Sequence, residues 1–225
     1  MTPNLVLDIQ EKLLAAFSSL KIFKFMHLPV QSGDDAVLKD MRRFYTATQF
    51  RGIVEAFRCE FPDLTFATDV IVGFPGETDK AFQNTLRLLE DVKPDITNVS
   101  KFFARPKTVA WEMKDSLVGK DETKRRSTLT AEFTKKLSAE HNKGWVGWCG
   151  NVLFNERGKV EGSWVGRNFT YKPIAVKSDE YLLGKTCKVK VTEARGTYLK
   201  GELVKEEEDN GAEKVWVVKP DGDAG

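Results

Sequence analysis

Two segments of this chain hold residue types suited to gripping a polar ligand: His27-Leu-Pro-Val-Gln-Ser-Gly33 and Thr68-Asp-Val-Ile-Val-Gly-Phe-Pro-Gly-Glu-Thr78. Each reads as a strand running into a tight, polar, glycine-bearing turn. In parallel sheets covered by helices, ligands bind outside the carboxyl ends of the strands. Gln31, Ser32 and Gly33 fall at one such end, and Asp69 to Glu77 straddles the next. Gly73 and Gly76 let the backbone approach a ligand, and Pro75 stiffens the turn. Asp69 is an acid inside an apolar strand, which is costly unless it accepts hydrogen bonds or is paired. Three arrangements satisfy it: ribose hydroxyls as donors, a helix terminus that it caps, or an arginine. Arg43 is the candidate arginine, for Asp69 or for a ligand carboxylate that its planar fork would bind bidentately. Strand ends of this kind suit a nucleotide-like cofactor.

Other reactive residues are sparse. The three cysteines, Cys59, Cys149 and Cys187, are widely separated, and none lies at a metal-ligand spacing. Buried or incidental thiols are the plain reading. His27 and His141 are too few and too far apart to form a metal site by themselves. The chain is 225 residues long, enough for one large domain or two small ones, and 30% of it is charged. There is no apolar run long enough for a membrane span, and Met1-Thr-Pro-Asn lacks the basic start of a signal peptide. A cytoplasmic protein with no membrane partner is expected.

The elements that must position these residues alternate. Ile9, Leu13, Leu14 and Phe17 recur at helical spacing over 8–20. Ile22 to Val30 reads as a strand. Asp34 or Asp35 caps a helix carrying Val37, Leu38 and Met41. Phe50, Ile53, Val54 and Phe57 mark a helix over 46–60. Strands follow at Leu64 to Val72 and Ile96 to Phe103, with a helix between them over Thr78 to Val92. Strands separated by helical crossovers argue for a parallel sheet covered by helices. Three strands cannot close a barrel, so the segment is a small open sheet or a piece of a larger barrel. A charged helix over 121–142, with Leu129, Phe133 and Leu137 as its apolar stripe, reads as a connector.

From Trp145 the helical period vanishes. Five short β-rich runs lie between glycines: 150–154, 159–165, 172–176, 186–192 and 198–204. They suggest a small, OB-like β-barrel. Residues 144–204 carry ten lysines and arginines against six acids, a balance of +4, while 205–225 carry three lysines against seven acids, a balance of −4. A basic module before an acidic tail points to a polyanionic partner. The aromatics Trp164, Phe169, Tyr171 and Tyr198 interleave with the cations, which suits RNA: cations neutralise phosphates and rings stack on exposed bases. A soluble barrel with core aromatics and solvated charges fits the same composition.

Five segments together resemble the radical S-adenosylmethionine (SAM) methylthiotransferases, most closely the archaeal and eukaryotic tRNA branch. They are His27 to Gly33, Asp35-Ala-Val-Leu-Lys-Asp-Met-Arg42, Tyr45-Thr46, Thr68 to Thr78 and Arg105-Pro-Lys-Thr108. Gly166-Arg-Asn-Phe-Thr-Tyr-Lys-Pro173, Leu183-Gly184, Val189 to Thr192 and Leu199 to Leu203 are similar to a TRAM domain. The resemblance implies an α/β fold: a partial (β/α) radical SAM barrel over 1–120, a connector helix over 121–143, a small all-β TRAM barrel over 144–204, and a disordered acidic tail over 205–225. It implies SAM bound by Gln31, Ser32, Arg43, Asp69, Ile71 and Gly73. Gln31 and Asp69 would hold the ribose, Arg43 (or Arg42) the methionine carboxylate, and Ile71 would lie against the adenine. It implies tRNA bound by Arg167, Phe169, Tyr171, Lys172, Lys188 and Arg195. The family converts N6-threonylcarbamoyladenosine beside the tRNA anticodon to its 2-methylthio derivative. It does so with [4Fe-4S] clusters whose C-x-x-x-C-x-x-C loop has no counterpart in this sequence. The chain thus looks like the C-terminal half of such an enzyme, with no metal ligands of its own and a cluster-bearing half as partner. The alternative is a non-catalytic RNA-binding protein acting through the TRAM domain. The family's usual Arg-Pro-Gly-Thr reads Arg105-Pro-Lys-Thr108 here.

Overall fold

The computed structural model describes residues 1–204. The acidic tail expected to be disordered, with its Val215-Trp-Val-Val218 patch, lies outside the described residues. Helices begin where the sequence offers a cap. Helix α1 (Pro3–Phe17) starts on a proline, whose missing N–H costs nothing in a first turn, and is kinked at Ile9. Asp34 caps α2 (Asp35–Asp40) by accepting from the N–H groups of Ala36 and Val37. Thr46 and Gln49 form a capping box on α3 (Ala47–Glu60). Thr78 caps α4 (Asp79–Val92), which ends on Lys93 in the left-handed region.

Strands β1 (Phe25–His27), β2 (Thr65–Val72) and β3 (Ile96–Lys101) form a parallel sheet in that order. One face buries Met26, Leu28, Phe66 and Val70 with Phe50, Ile53, Phe57 and Leu89 of α3 and α4. The other face presents Phe25, His27, Asp69, Ile71 and Asn98, half-buried or exposed. β1 is shorter than the expected 22–30. The Lys24 ammonium donates to the carbonyls of Phe17, Ser19 and Ile22 and folds the preceding residues into a turn.

A short helix α5 (Val109–Glu112) precedes α6 (Lys120–Lys143), the connector. Its buried face corrects the sequence reading. Leu129 is exposed, whereas Thr123, Arg126, Thr130, Thr134 and Leu137 are buried. Thr130 and Thr134 donate back to the carbonyls of Arg126 and Thr130 at 2.8 and 2.9 Å, so each threonine offers the interface chiefly its methyl. Five strands then close a barrel in the order β4-β5-β6-β8-β7. They are β4 (Cys149–Arg157), β5 (Ser163–Arg167), β6 (Pro173–Lys177), β7 (Thr186–Ala194) and β8 (Leu199–Leu203). Alternate residues fill it: Val152, Phe154, Ile174, Val176, Val189 and Val191. Trp164 is buried in this core and donates to the Ser178 carbonyl at 3.2 Å, so it is no surface ring for RNA.

Candidate cofactor and nucleic-acid sites

The carboxyl ends of β1 and β2 are tied together beyond the sheet. Gln31 N–H donates to the Asp69 carbonyl at 2.8 Å and Ile71 N–H to the Gln31 carbonyl at 2.9 Å. Gln31 has φ 71°, a left-handed conformation that turns the chain sharply at the strand end. Asp69 and Asn98 are register partners on adjacent strands. Asp69 Oδ1 accepts from Asn98 Nδ2 at 2.8 Å and pairs with His27 Nε2 at 2.8 Å. Both donors converge on one oxygen, and among the described residues none donates to Oδ2. Of the arrangements open to Asp69 in the sequence, the ion pair with Arg43 is therefore not the one formed. Asp69 is reached laterally from neighbouring strands, whereas Arg43 lies past α2, where its N–H closes on the Leu38 carbonyl. The Arg43 side chain is exposed and makes no ion pair among the described residues. It stands near Tyr45, whose hydroxyl burial pushes up to about 12 against the pull of that guanidinium.

Ile71 lies two residues beyond Asp69 on the same face and is half-buried. Ser32 and Gly73 do structural work instead. The Ser32 side chain is fully buried, 3.3 Å from the Thr85 hydroxyl, and accepts from Asp34 N–H. Gly73 N–H donates to Glu77 Oε2 at 2.7 Å. Gly73 has φ +77°, and a Cβ there would stand 2.5 Å from Thr123 Oγ1, so only glycine lets α6 approach this turn.

Sequence reasoning missed what locks the turn. Arg126, in α6, donates from Nη1 to Glu77 Oε2 at 2.9 Å, from Nη2 to Asp79 at 2.7 Å and from Nε to Glu122 at 2.7 Å. Burial pushes the Glu77 carboxyl up, opposed by the Gly73 N–H and by Arg126. The available signal was the row Arg126, Thr130, Thr134, spaced i, i+4, i+8 beside the apolar stripe.

In the barrel, Arg167, Phe169 and Tyr171 share the β5–β6 turn. The Arg167 guanidinium lies 4.8 Å from the Tyr171 ring and donates to Glu156. Phe169 is half-exposed and packs at 6.1 and 6.3 Å on Trp145 and Trp148, two rings the sequence reading did not single out. Tyr171 packs on Phe23, just before the sheet, and on Phe25 of β1. Lys172 is corrected as a phosphate contact. It is 5% exposed, and its ammonium donates to Asp95 Oδ1 at 2.8 Å and Asn142 Oδ1 at 3.1 Å. Burial would raise the Asp95 carboxyl, but hydrogen bonds from His141, Lys172 and Phe66 N–H and the Lys172 charge outweigh it and hold it at about 2. Lys188 is exposed on β7, opposite Asn151 of β4. Arg195, in the β7–β8 loop, is exposed and paired with Glu193.

The cysteines do not fit an iron–sulfur cluster. Cys59 lies on α3, Cys149 and Cys187 on different barrel strands, and no metal-binding group of three His, Cys, Asp or Glu occurs among the described residues. Among those residues no helix is long and apolar enough to cross a membrane.

Residues 1–89 match the model of the radical SAM superfamily and residues 146–204 that of the TRAM domain. A probable threonylcarbamoyladenosine tRNA methylthiotransferase of Pyrococcus horikoshii is 40% identical over 206 residues, covering 91% of this chain and 47% of that protein. Its counterpart in Methanothermobacter thermautotrophicus is 40% identical over 199 residues, covering 88% and 46%. A tRNA-2-methylthio-N(6)-dimethylallyladenosine synthase of Carboxydothermus hydrogenoformans is 39% identical over 188 residues, covering 83% and 42%. The chain spans about half the length of these curated relatives. Among solved structures, the radical SAM coproporphyrinogen III oxidase (HemN) of Escherichia coli is similar at a TM-score of 0.47 and 15% identity, over 83% of this chain and 47% of that one.

Proposed function

The chain belongs to the radical SAM methylthiotransferase family, and on that premise we propose that it takes part in 2-methylthiolation of N6-threonylcarbamoyladenosine beside the tRNA anticodon. Its share is to hold SAM at the carboxyl ends of β1 and β2 and tRNA on the TRAM barrel. The observation that carries the first half is Asp69. Two neighbours hold its Oδ1 and leave Oδ2 to accept from a ribose diol, beside Gln31. Arg43, exposed and without an ion pair among the described residues, suits the methionine carboxylate. Ile71 offers an apolar wall to the adenine. When bound, SAM supplies the methyl and adenosyl groups of the family's chemistry. No step is assigned to an iron–sulfur cluster, because the cysteines of this chain do not fit one.

RNA binding through Arg167, Phe169, Tyr171, Lys188 and Arg195 needs no cluster, so it supports the second reading, a non-catalytic tRNA-binding role. The two readings part in one experiment. The chain is combined with the remaining length of an archaeal relative, and methylthiolation of tRNA is measured. Restored transfer that Asp69→Ala removes supports the enzyme. tRNA binding without transfer in any combination leaves the second reading. In either case tRNA affinity should fall steeply with added salt, because phosphate contacts release counterions. Salt-independent binding would contradict both.

A further inference from the structure

Two loops at the carboxyl end of the sheet carry charge that the fold does not use. The α2–α3 loop (41–46) and the β3–α5 loop (102–108) contain Arg42, Arg43, Arg105 and Lys107 and no acid. The loops are neighbours: Met41 and Phe102 pack against one small cluster that includes Val37 and Phe74, and the Phe74 and Phe102 rings stand 5.1 Å apart. All four cations are exposed, and none makes an ion pair among the described residues. Each loop also turns a ring to solvent, Phe44 at 82% and Phe103 at 81% exposure. Gln31 and Asp69 lie at this same end of the sheet.

Two of these cations stand where glycine would fit without strain. Arg42 has φ 56° at the end of α2, where its N–H closes on the Lys39 carbonyl at 2.9 Å and the Arg43 N–H on the Leu38 carbonyl at 2.8 Å. Lys107 has φ 65° and follows Pro106 in a turn closed by Thr108 N–H on the Arg105 carbonyl at 3.3 Å, the place of glycine in a type II turn. Among the described residues five that are not glycine take a left-handed φ, and Gln31, Arg42 and Lys107 bring three of them to this end of the sheet. Such strain gathers where a side chain serves a ligand. Cations held out to solvent beside exposed rings fit the phosphates and unpaired bases of RNA. We propose that this rim binds a single-stranded stretch of RNA, with Arg42, Arg105 and Lys107 on its phosphates and Phe44 and Phe103 on its bases, and leads it across the mouth of the SAM site. The proposal rests on the RNA-binding reading above and adds a second, separate contact. Tyr171 meets Phe25 at the amino end of β1, so the barrel turn stands one length of β2 from the rim, roughly 26 Å.

The test uses the full chain and unmodified tRNA, with affinity measured by fluorescence anisotropy over a series of KCl concentrations and stability by thermal melting. Arg42→Gly and Lys107→Gly relieve the backbone while removing a charge. Each should raise the melting temperature, and the double variant should flatten the slope of log affinity against log salt by about 1.5, two phosphate contacts at roughly 0.7–0.9 each. Arg42→Asn with Lys107→Asn, a residue that also accepts a left-handed φ, should flatten it equally without loosening the loops. Arg42→Lys should keep the slope, because the charge stays. Phe103→Ala should weaken binding by at least about fivefold at an unchanged slope, because stacking releases no counterion. A slope that neither double variant moves overturns the proposal and leaves RNA on the barrel alone. Lower stability together with weaker binding in the glycine variants overturns it too, since the side chains then hold the loops. So do variants that lose only association with the remaining length of an archaeal relative, which makes the rim a protein interface. A wild-type chain that binds no tRNA at low salt removes the RNA reading and the rim together.

Discussion

Asp69 can serve a ligand only if something holds its carboxylate, and His27 and Asn98 do so through the same oxygen. Removing Asp69 should abolish its hydrogen bonds to an adenosyl ligand. Removing one support should leave the carboxylate present but loose. Asp69→Ala should therefore weaken S-adenosylhomocysteine binding most. His27→Ala should weaken it by about three- to tenfold, roughly one hydrogen bond, and His27→Gln, which keeps a donor, should restore most of it. tRNA affinity should not move in any of the three, and its loss in step with the cofactor would mean misfolding instead. A different residue-level device secures the neighbouring turn. The Arg126 and Glu77 side chains are 4% and 0% exposed. Arg126→Met strands the Glu77 carboxylate without its cation, a change that typically costs about 3–5 kcal/mol. Burial already raises the Glu77 carboxyl, and without Arg126 the folded state takes up its proton still more readily. The deficit should shrink as the pH falls. Urea unfolding of both proteins across pH 4–8 would show it, and a pH-independent difference would argue against a stranded charge.

At the level of elements, local signals carried far and lateral ones did not. The cap at Asp34 and the apolar period of Phe50, Ile53, Val54 and Phe57 placed helices correctly, because both signals act within a few residues of chain. The five barrel runs were legible for the same reason, though the second begins at Ser163 instead of 159, since residues 158–162 form a turn closed by Gly158 N–H on the Ser163 carbonyl. What failed depends on which strands lie side by side. Nothing near Asp69 in the chain announces His27, 42 residues away, and nothing near Lys172 announces Asp95, 77 residues away. The buried face of α6 was misread because period alone ranks Leu129 above Thr130, whereas back-bonded threonines pack like small apolar residues. That face makes the Gly73 turn and α6 one unit. Gly73→Ala must hold a left-handed φ and press on Thr123, so it should destabilise by at least the roughly 1–2 kcal/mol of the backbone penalty alone. Adding Thr123→Gly should recover the steric part and leave the backbone part. Full recovery in chemical denaturation would refute the backbone contribution.

For the molecule as a whole, the question is what holds the TRAM barrel in one orientation against the sheet. The joint is small and chemically specific. Tyr171 packs on Phe23 and Phe25, Lys24 N–H donates to the Phe169 carbonyl at 2.8 Å, and Lys172 reaches into a pocket formed by Asp95, His141 and Asn142. Asp95 also accepts from Phe66 N–H at 2.9 Å, and Asn142 Nδ2 donates to the Arg195 carbonyl at 2.8 Å, so sheet, connector and barrel meet on one carboxylate. Its folded pKa of about 2 against an ordinary 3.8 corresponds to about 2 kcal/mol of stability. Because the folded value is depressed, that stability is present above pH 3.8 and lost as the pH falls through about 2. The sum of all carboxylates also responds to acid, so the joint must be isolated by comparison. Asp95→Asn alone leaves Lys172 buried without its counter-ion and should cost about 3–5 kcal/mol. Asp95→Asn with Lys172→Met removes both charges and should regain most of that at neutral pH, while losing about 2 kcal/mol less than the wild type between pH 5 and pH 2. Urea midpoints at both pH values provide the numbers, and small-angle scattering at pH 2 should show the barrel released in the wild type before the sheet unfolds. Equal acid slopes in the two proteins would mean that Asp95 does not govern the joint, and that the aromatic contacts of Tyr171 hold the barrel by themselves.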